Sequence, residues 1–329
     1  MKLSFRFLII LSAAILCLST AVLVVGWQIA SDLSEPKSIK SQLITIKKGE
    51  SLYTLLGELE NKELIKKGWQ IKLISKLNPQ LGHIQAGTFL LEGELSSLDV
   101  IRALTQGQPH QFKITFPEGI SFKQWQTLLK NNEWIEQTDY QAQLAQLIEP
   151  YDSAEGLLFP DTYYFTANSD DYSLIQSAFE RMRQTKLELA SDMSSQTWYE
   201  TLILASIVEK ETAVKSEMPI VASVFVNRLN KNMRLQTDPT VIYGLGDRYQ
   251  GDIKRSHLKE KTPYNTYQIK GLPPTPIAMP GIDAIKAVLY PATTDYLYFV
   301  ADGKGGHVFS TNLKAHNQAV KAYLEQTSG

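Results

Sequence analysis

Between Arg6 and Asp32 the chain carries no charged residue, and the run FLIILSAAILCLSTAVLVVGWQIA fills that interval. About 20 consecutive apolar residues cross the hydrocarbon core of a bilayer as one helix, so this segment reads as a single membrane span. It constrains everything downstream, because the remaining residues must fold as a body tethered beside a membrane. Lys2 and Arg6, before the run, favour an N-terminus on the cytoplasmic side. Trp27 stands at the far end, where interfacial aromatic residues gather. A cleaved signal peptide is the competing reading, but its apolar region is normally shorter and no small-x-small cleavage site follows this one. An uncleaved anchor in the inner (plasma) membrane is expected. The rest of the chain then lies outside the cytoplasm (periplasmic or extracytoplasmic), where the nearest polymer of a bacterial cell is its wall.

Hydrophobic residues make up 43% of the 329 residues and charged residues 20%, ordinary values for a globular chain. The formal net charge of -1 gives no footprint for a nucleic-acid partner. Cys17 is the single cysteine and lies within the span, which excludes an intramolecular disulfide and a Cys/His metal cluster. His83, His110, His257, His307 and His316 are scattered without zinc-like spacing, so no metal and no cofactor are expected. No GxSxG, HExxH or Walker A pattern occurs.

Residues 1–30 are thus read as cytoplasmic stub and anchor. SDLSEPKSIKSQ, residues 31–42, is polar, contains Pro36, and reads as a linker. Residues 43–109 form a small α+β module. A short alternating strand at 43–46 leads into a helix capped by Ser51, WQIKLISKL is a second helix, and strand, turn and helix follow up to Gly107. The opening KKGESLYTLL resembles a LysM-type module, which implies glycan binding; a packing and spacing domain is the other reading. Residues 110–329 form a larger mixed α+β domain. It opens with strand, PEG turn and helix, continues helical to about Leu147, and runs extended through EGLLFPDTYYFT. Helices are expected over 173–191 and 196–213. Loop-rich chain follows through RLQTDPTVIYGLG and TPYNTYQIKGLPPTPIAMPG, then a helix at 282–288, a two-stranded hairpin around GKGG, and a closing helix at 313–326.

The stretch LASIVEKETAVKSE holds two glutamates two positions apart. Leu204, Ile207 and Val208 make an apolar stripe, and Glu211, seven residues after Leu204, extends it. Glu209 points about 200° away around the axis and is expected to be solvated. A carboxyl against apolar neighbours keeps its proton to higher pH, as a general acid at neutral pH requires. A surface position for Glu211, paired with Lys215 one turn on, is the alternative. The glycine-rich ADGKGGH joins two strands and reads as a tight turn, with His307 a turn or strand residue.

EGLLFPDTYYF, LASIVEKETA, VASVFVNRL, MRLQTDPTVIYG, YNTYQIKGLPPTPIAMPG and YLYFVADGKGGHVFSTNLKAHN closely resemble the YceG-like family of membrane-anchored endolytic murein transglycosylases. The resemblance covers nearly the whole chain, anchor included. It implies a lyase that cleaves peptidoglycan glycan strands internally, between N-acetylmuramic acid and N-acetylglucosamine, leaving 1,6-anhydromuramic ends. It also implies action near nascent strands, terminating their elongation, in concert with penicillin-binding protein synthases. The family's catalytic glutamate maps to Glu211, followed by Thr212, with Glu209 as fallback. Residues of the loop motifs, Gln236, Thr237, Asp238, Tyr243, Asn265, Thr266 and Tyr267, are the candidates to hold the sugar; a loop-stabilising role, and a turn or cap at Asp238-Pro239, is the alternative for each. Asp238 is the best candidate for a second carboxylate. With Asp238 or Glu209 as partner to Glu211, a hydrolytic muramidase becomes an option. A non-catalytic, wall-binding scaffold is the third reading.

Overall fold

The computed structural model describes residues 5–167 and 169–327. Lys2 lies outside them. The chain is mixed α+β and divides into two compact units, one taking in the chain to Phe112 and a short stretch beginning at Thr166, the other Lys113–Phe165 and the chain from Ser169 onward.

The first unit opens with helix α1 (Phe5–Ser34), of which Phe7–Ser34 is long and apolar enough to cross a membrane. Strand β1 (Pro36–Ile46) follows after a single residue. The linker expected at 31–42 is therefore absent: those residues finish α1 and form most of β1. Pro36 tolerates this position because it is the first residue of a strand, where its missing N–H costs no ladder bond. Helices α2 (Leu52–Asn61) and α3 (Gly68–Leu77), strand β2 (Gly87–Ser96) and helix α4 (Ser97–Gln106) complete the unit. The Ser51 hydroxyl accepts the Thr54 N–H, as its N-cap position predicts. Ser96 and Asp99 form a reciprocal capping box, so β2 passes straight into α4 without the turn expected there. β1 and β2 pair antiparallel, with Ile44 opposite Phe89 and a bulge between Ile39 and Gln42. Ile44, Leu55, Leu59, Phe89, Val100 and Leu104 fill the core under this hairpin, and Leu33 of α1 is buried among them.

The second unit begins with β3 (Gln111–Thr115), which runs over from the first, then α5 (Phe122–Lys130), β4 (Ile135–Glu136), α6 (Gln141–Ile148), β5 (Thr162–Thr166) and β6 (Ser169–Asp170). β3 pairs with β5, and β4 runs parallel to β6. Helices α7 (Asp171–Ala190), α8 (Ser195–Glu211), α9 (Met218–Asn230), α10 (Asp238–Leu245), α11 (Arg255–Lys259) and α12 (Ile282–Leu289) follow. The antiparallel hairpin β7 (Tyr298–Ala301) and β8 (His307–Ser310) and helix α13 (Leu313–Thr327) close the chain.

Two helices stand where loop-rich chain was expected. α9 has Pro219 in its first turn, where a missing N–H is harmless, and α10 likewise has Pro239. Over Thr201–Val208 α8 is buried around its whole circumference: Leu202, Leu204, Ala205, Ser206, Ile207 and Val208 are all buried, with α9 and α12 packed against the helix. It therefore has no solvated face of the kind a single apolar stripe implies.

Candidate active site

α8 ends at Glu211, with Thr212 as its C-cap, two residues before the expected end at Ala213. The last turn brings Glu211 to the wall of a cleft of about 410 Å³, a volume in the range of small-molecule sites. Glu211 is half-buried there, and the Thr237 hydroxyl donates a hydrogen bond to its Oε1. Burial raises the Glu211 pKa to about 7; the Thr237 hydrogen bond works against that rise, and the nearby negative charge of Asp238 adds to it. Lys215, the surface partner considered for Glu211, instead pairs with Asp283 at 2.6 Å.

Glu209 is not solvated. Its Oε2 accepts the Gly281 N–H at 3.0 Å, and its aliphatic stem lies under the turn at Gly119. Burial pushes its pKa up as well. The reason is the all-round burial of α8 over Thr201–Val208, which carries Glu209 against the Gly119 turn and Gly281 while Lys210 beside it stays exposed. Glu209 does not line the cleft that holds Glu211.

The opposite wall is built from two sequence-distant segments tied together. Gln236 adopts a left-handed backbone conformation (φ 51°) and donates its N–H to the Thr266 carbonyl at 3.2 Å. The Thr237 N–H bonds Thr266 Oγ1 at 3.0 Å, and Thr240 and Thr266 share hydroxyls at 2.9 Å. Tyr267 donates its hydroxyl to Asp238 Oδ1 at 2.7 Å, and both side chains line the cleft with Gln236. Arg228, buried on α9, fixes this arrangement: its Nε donates to the Leu297 carbonyl and one terminal nitrogen to the Leu235 carbonyl, each at 2.6 Å. Its guanidinium also lies 5.2 Å from the Tyr298 ring centre. His316 stacks on the same Tyr298 ring, 5.1 Å centre to centre, and with Asn317 it also lines the cleft.

A scan against protein-family models matches residues 44–322 to the YceG-like family. The chain belongs to that family. An endolytic murein transglycosylase of Bacillus subtilis is 32% identical over 307 residues, covering 85% of this YceG-like chain and 84% of that protein. One from Streptococcus pneumoniae (strain D39) is 27% identical over 341 residues, covering 91% of this chain but 62% of the longer relative. The crystal structure of a YceG-like protein from Listeria monocytogenes superposes with a TM-score of 0.56 at 28% identity, covering 85% of this chain and 99% of that one.

The sequence candidates of this YceG-like chain thus separate into three sets. Glu211, Gln236, Asp238 and Tyr267 line one cleft, with Thr237 directly behind Glu211. Asn265 and Thr266 are fully buried; the Asn265 amide donates to the carbonyls of His257, Leu258 and Glu260, so it shapes the loop from below. Tyr243 lies on α10 rather than in a loop and faces a different hollow, of about 730 Å³. There its hydroxyl donates to Glu155 Oε2 at 3.1 Å, and burial raises the Glu155 pKa to about 7.

Arg228, Tyr298, His316 and Asn317 were assigned no role from the sequence, although VFVNRL and LKAHN contain three of them. Glu217 was passed over too: its two oxygens take the His307 N–H at 3.0 Å and His307 Nδ1 at 2.7 Å, pinning the β7–β8 hairpin to the start of α9. A part-buried contact between distant segments of this kind has no periodic signature in sequence. Among the described residues, no group of three or more His, Cys, Asp and Glu is placed to hold a metal ion.

Proposed function

We propose that this chain is an endolytic lytic transglycosylase of peptidoglycan, with Glu211 as its catalytic acid. The observation that carries the reading is Glu211 at the cleft wall, a carboxyl whose pKa is raised to about 7 by burial. Such a group is still protonated near neutral pH and can donate. Glu211 gives its proton to the glycosidic oxygen between N-acetylmuramic acid and N-acetylglucosamine, and the C1–O bond breaks. The resulting carboxylate then takes the proton of the muramoyl C6 hydroxyl, whose oxygen bonds to C1. The product is a 1,6-anhydro end, and the acid is regenerated. Intramolecular attack makes a second carboxylate for water activation unnecessary. Thr237 holds the carboxylate oxygen in place, while Gln236, Asp238, Tyr267, His316 and Asn317 supply hydrogen-bonding groups and ring faces around the sugar. The names of the Bacillus and Streptococcus relatives support the same reaction.

The wider reading follows the family. α1 anchors the protein in the plasma membrane with its N-terminus in the cytoplasm, residues 43–109 form the LysM-like module, and residues 110–329 act on glycan strands outside. There the enzyme works alongside penicillin-binding protein synthases and terminates nascent strands.

One observation favours the hydrolytic alternative: Asp238 shares the cleft with Glu211, the arrangement that a water-activating partner needs. Mass spectrometry of digested glycan strands separates the two. Anhydro ends are expected, and they should persist in Asp238→Asn. Reducing ends with added water would instead establish hydrolysis. Glu211→Gln is expected to lower kcat by about 10²–10⁴-fold with the fold intact. Unchanged cleavage would remove Glu211 from the role and pass it to Glu209, which a matching Glu209→Gln variant tests; no cleavage by the parent would leave the wall-binding scaffold as the reading.

A further inference from the structure

α3 is apolar on two sides. Ile71 and Ile74 face the module core together with the buried amide of Gln70. At about 100° per residue, Trp69, Lys72, Leu73, Lys76 and Leu77 fall within an arc of about 140° on the opposite side. Trp69 is 54% exposed, Leu73 45% and Leu77 82%. Tyr53 of α2 adds to this surface, with the Lys72 ammonium 4.7 Å from its ring centre. A solvent-facing helix surface of one Trp and two Leu, interleaved with two Lys, is unlike the charged outer face of an ordinary surface helix.

The position of this face relative to α1 is fixed within the same compact unit. Asp32 of α1 accepts hydrogen bonds from Lys67 Nζ at 3.1 Å and Gln70 Nε2 at 3.0 Å, the residues on either side of Trp69 along α3. Leu33 is buried in the module core, and Ile29 packs against it. Trp27 is 73% exposed and lies near the end of the uncharged run, where an interfacial aromatic gathers. Asp32 lies five residues further, about 7.5 Å along the helix axis. That is about the depth of the headgroup layer on one side of a bilayer. Trp69 therefore sits at headgroup level whenever α1 spans.

The geometry points to a second membrane contact: the Trp69–Leu73–Leu77 face of α3, with Tyr53, lies on the outer surface of the bilayer that α1 crosses. Its ligand is anionic phospholipid. The indole and the leucines enter the interfacial layer, while Lys72 and Lys76 extend along it to lipid phosphates. Carbohydrate fits this face less well. A sugar ring presents several hydroxyls that need donors and acceptors together beside the aromatic ring, and the Tyr53 hydroxyl is the one acceptor among these six side chains. The inference rests on α1 being the membrane anchor and is independent of the reaction assigned to Glu211.

The test uses the full chain with Cys17→Ala and one new cysteine, either Leu73→Cys or Val24→Cys, carrying an environment-sensitive fluorophore. The protein is reconstituted into phosphatidylcholine vesicles with or without phosphatidylglycerol, containing lipids with a quencher at the headgroup or in the upper acyl chain. Both labels are expected to lose emission. The loss at Leu73 should grow with phosphatidylglycerol and shrink with added salt, while that at Val24 should respond to neither. An unquenched Leu73 label beside a quenched Val24 label overturns the surface contact and leaves the anchor standing. An unquenched Val24 label overturns both. A Leu73 label that ignores lipid but responds to chitooligosaccharide, or to protein concentration, assigns the face to glycan or to a second copy and overturns the proposal.

Discussion

Glu211 and Glu209 sit two residues apart on α8 and meet different surroundings: one faces a cleft and a hydroxyl, the other a backbone N–H under a turn. The Thr237 hydroxyl stabilises ionised Glu211 and so holds its pKa down against burial. Thr237→Val removes that bond while keeping the side-chain shape. A hydrogen bond to a charged group contributes about 1.5–3 kcal/mol, so the pKa of Glu211 should rise by about one unit or more. The alkaline limb of kcat/KM, which falls through about pH 7 in the parent as the acid ionises, is expected to move up, and kcat to drop because a weaker acid donates less readily. An unmoved limb would show that the hydroxyl does not act on the titrating group. Glu211 also sets a stability trend. Its folded pKa, about 7, exceeds the ordinary 4.5, so folding favours the protonated form. The resulting stability is complete below about pH 4.5 and is lost as pH rises to 7. Glu211→Gln, which cannot ionise, is expected to match the parent in thermal melts near pH 4 and to exceed it at pH 8.

Among the elements, α8 is where the sequence places one side chain along the right line and misreads the helix that carries it. Helical phase does carry Glu211 along the line of Leu204 and Val208. The assumption of one apolar stripe failed, because Ala205 and Ser206 are as buried as Leu204, and Glu209 follows them inward. A helix surrounded by protein has no polar face to reveal its orientation. α9 escaped for the same reason: Val221, Ala222, Val224 and Phe225 are all buried and include β-branched residues that do not advertise a helix. α10 was hidden behind Asp238-Pro239, which reads equally as a turn. By contrast, α2 with its Ser51 cap, the short amphipathic α3 and the β7–β8 hairpin around its glycine turn carry local signals, and they lie close to where those signals put them. The pairing of Gln236 with Thr266, on the other hand, is a contact between distant segments that no local pattern encodes. Arg228 is the element-level counterpart, since it joins α9, the approach to β7 and the Leu235 loop. Arg228→Met leaves two buried carbonyls without donors, at about 1–3 kcal/mol each. The melting temperature is expected to fall by roughly 5–20 °C for a unit of this size. Activity should fall further than the loss of folded protein explains, because Gln236, Thr237 and Asp238 lose their support. Equal losses in the two measurements would reduce Arg228 to a purely stabilising residue.

The whole molecule is organised by how its first helix ends. A polar stretch with a proline promised a flexible tether, yet α1 continues to Ser34, one residue before β1. Leu33 is 1% exposed within the module core, Asp32 is gripped by Lys67 and Gln70, and Glu35 pairs with Lys66. Anchor and module are thus one body, and a change inside the anchor's last turn is a change in the module's core. Leu33→Ala is expected to destabilise the first unit by about 2–5 kcal/mol, the range for emptying a buried leucine site. The full chain in detergent micelles should show faster amide hydrogen exchange in β1 and β2, where Ile44 and Phe89 face that site, and little change around Glu211. Membrane extraction should be unaltered, since the apolar run up to Trp27 is untouched. Unchanged exchange in β1 and β2 would mean that the helix and the module are joined only through the chain. The polar residues of 31–35 would then be a tether after all, and the seating of α3 beside Asp32 would lose its structural basis.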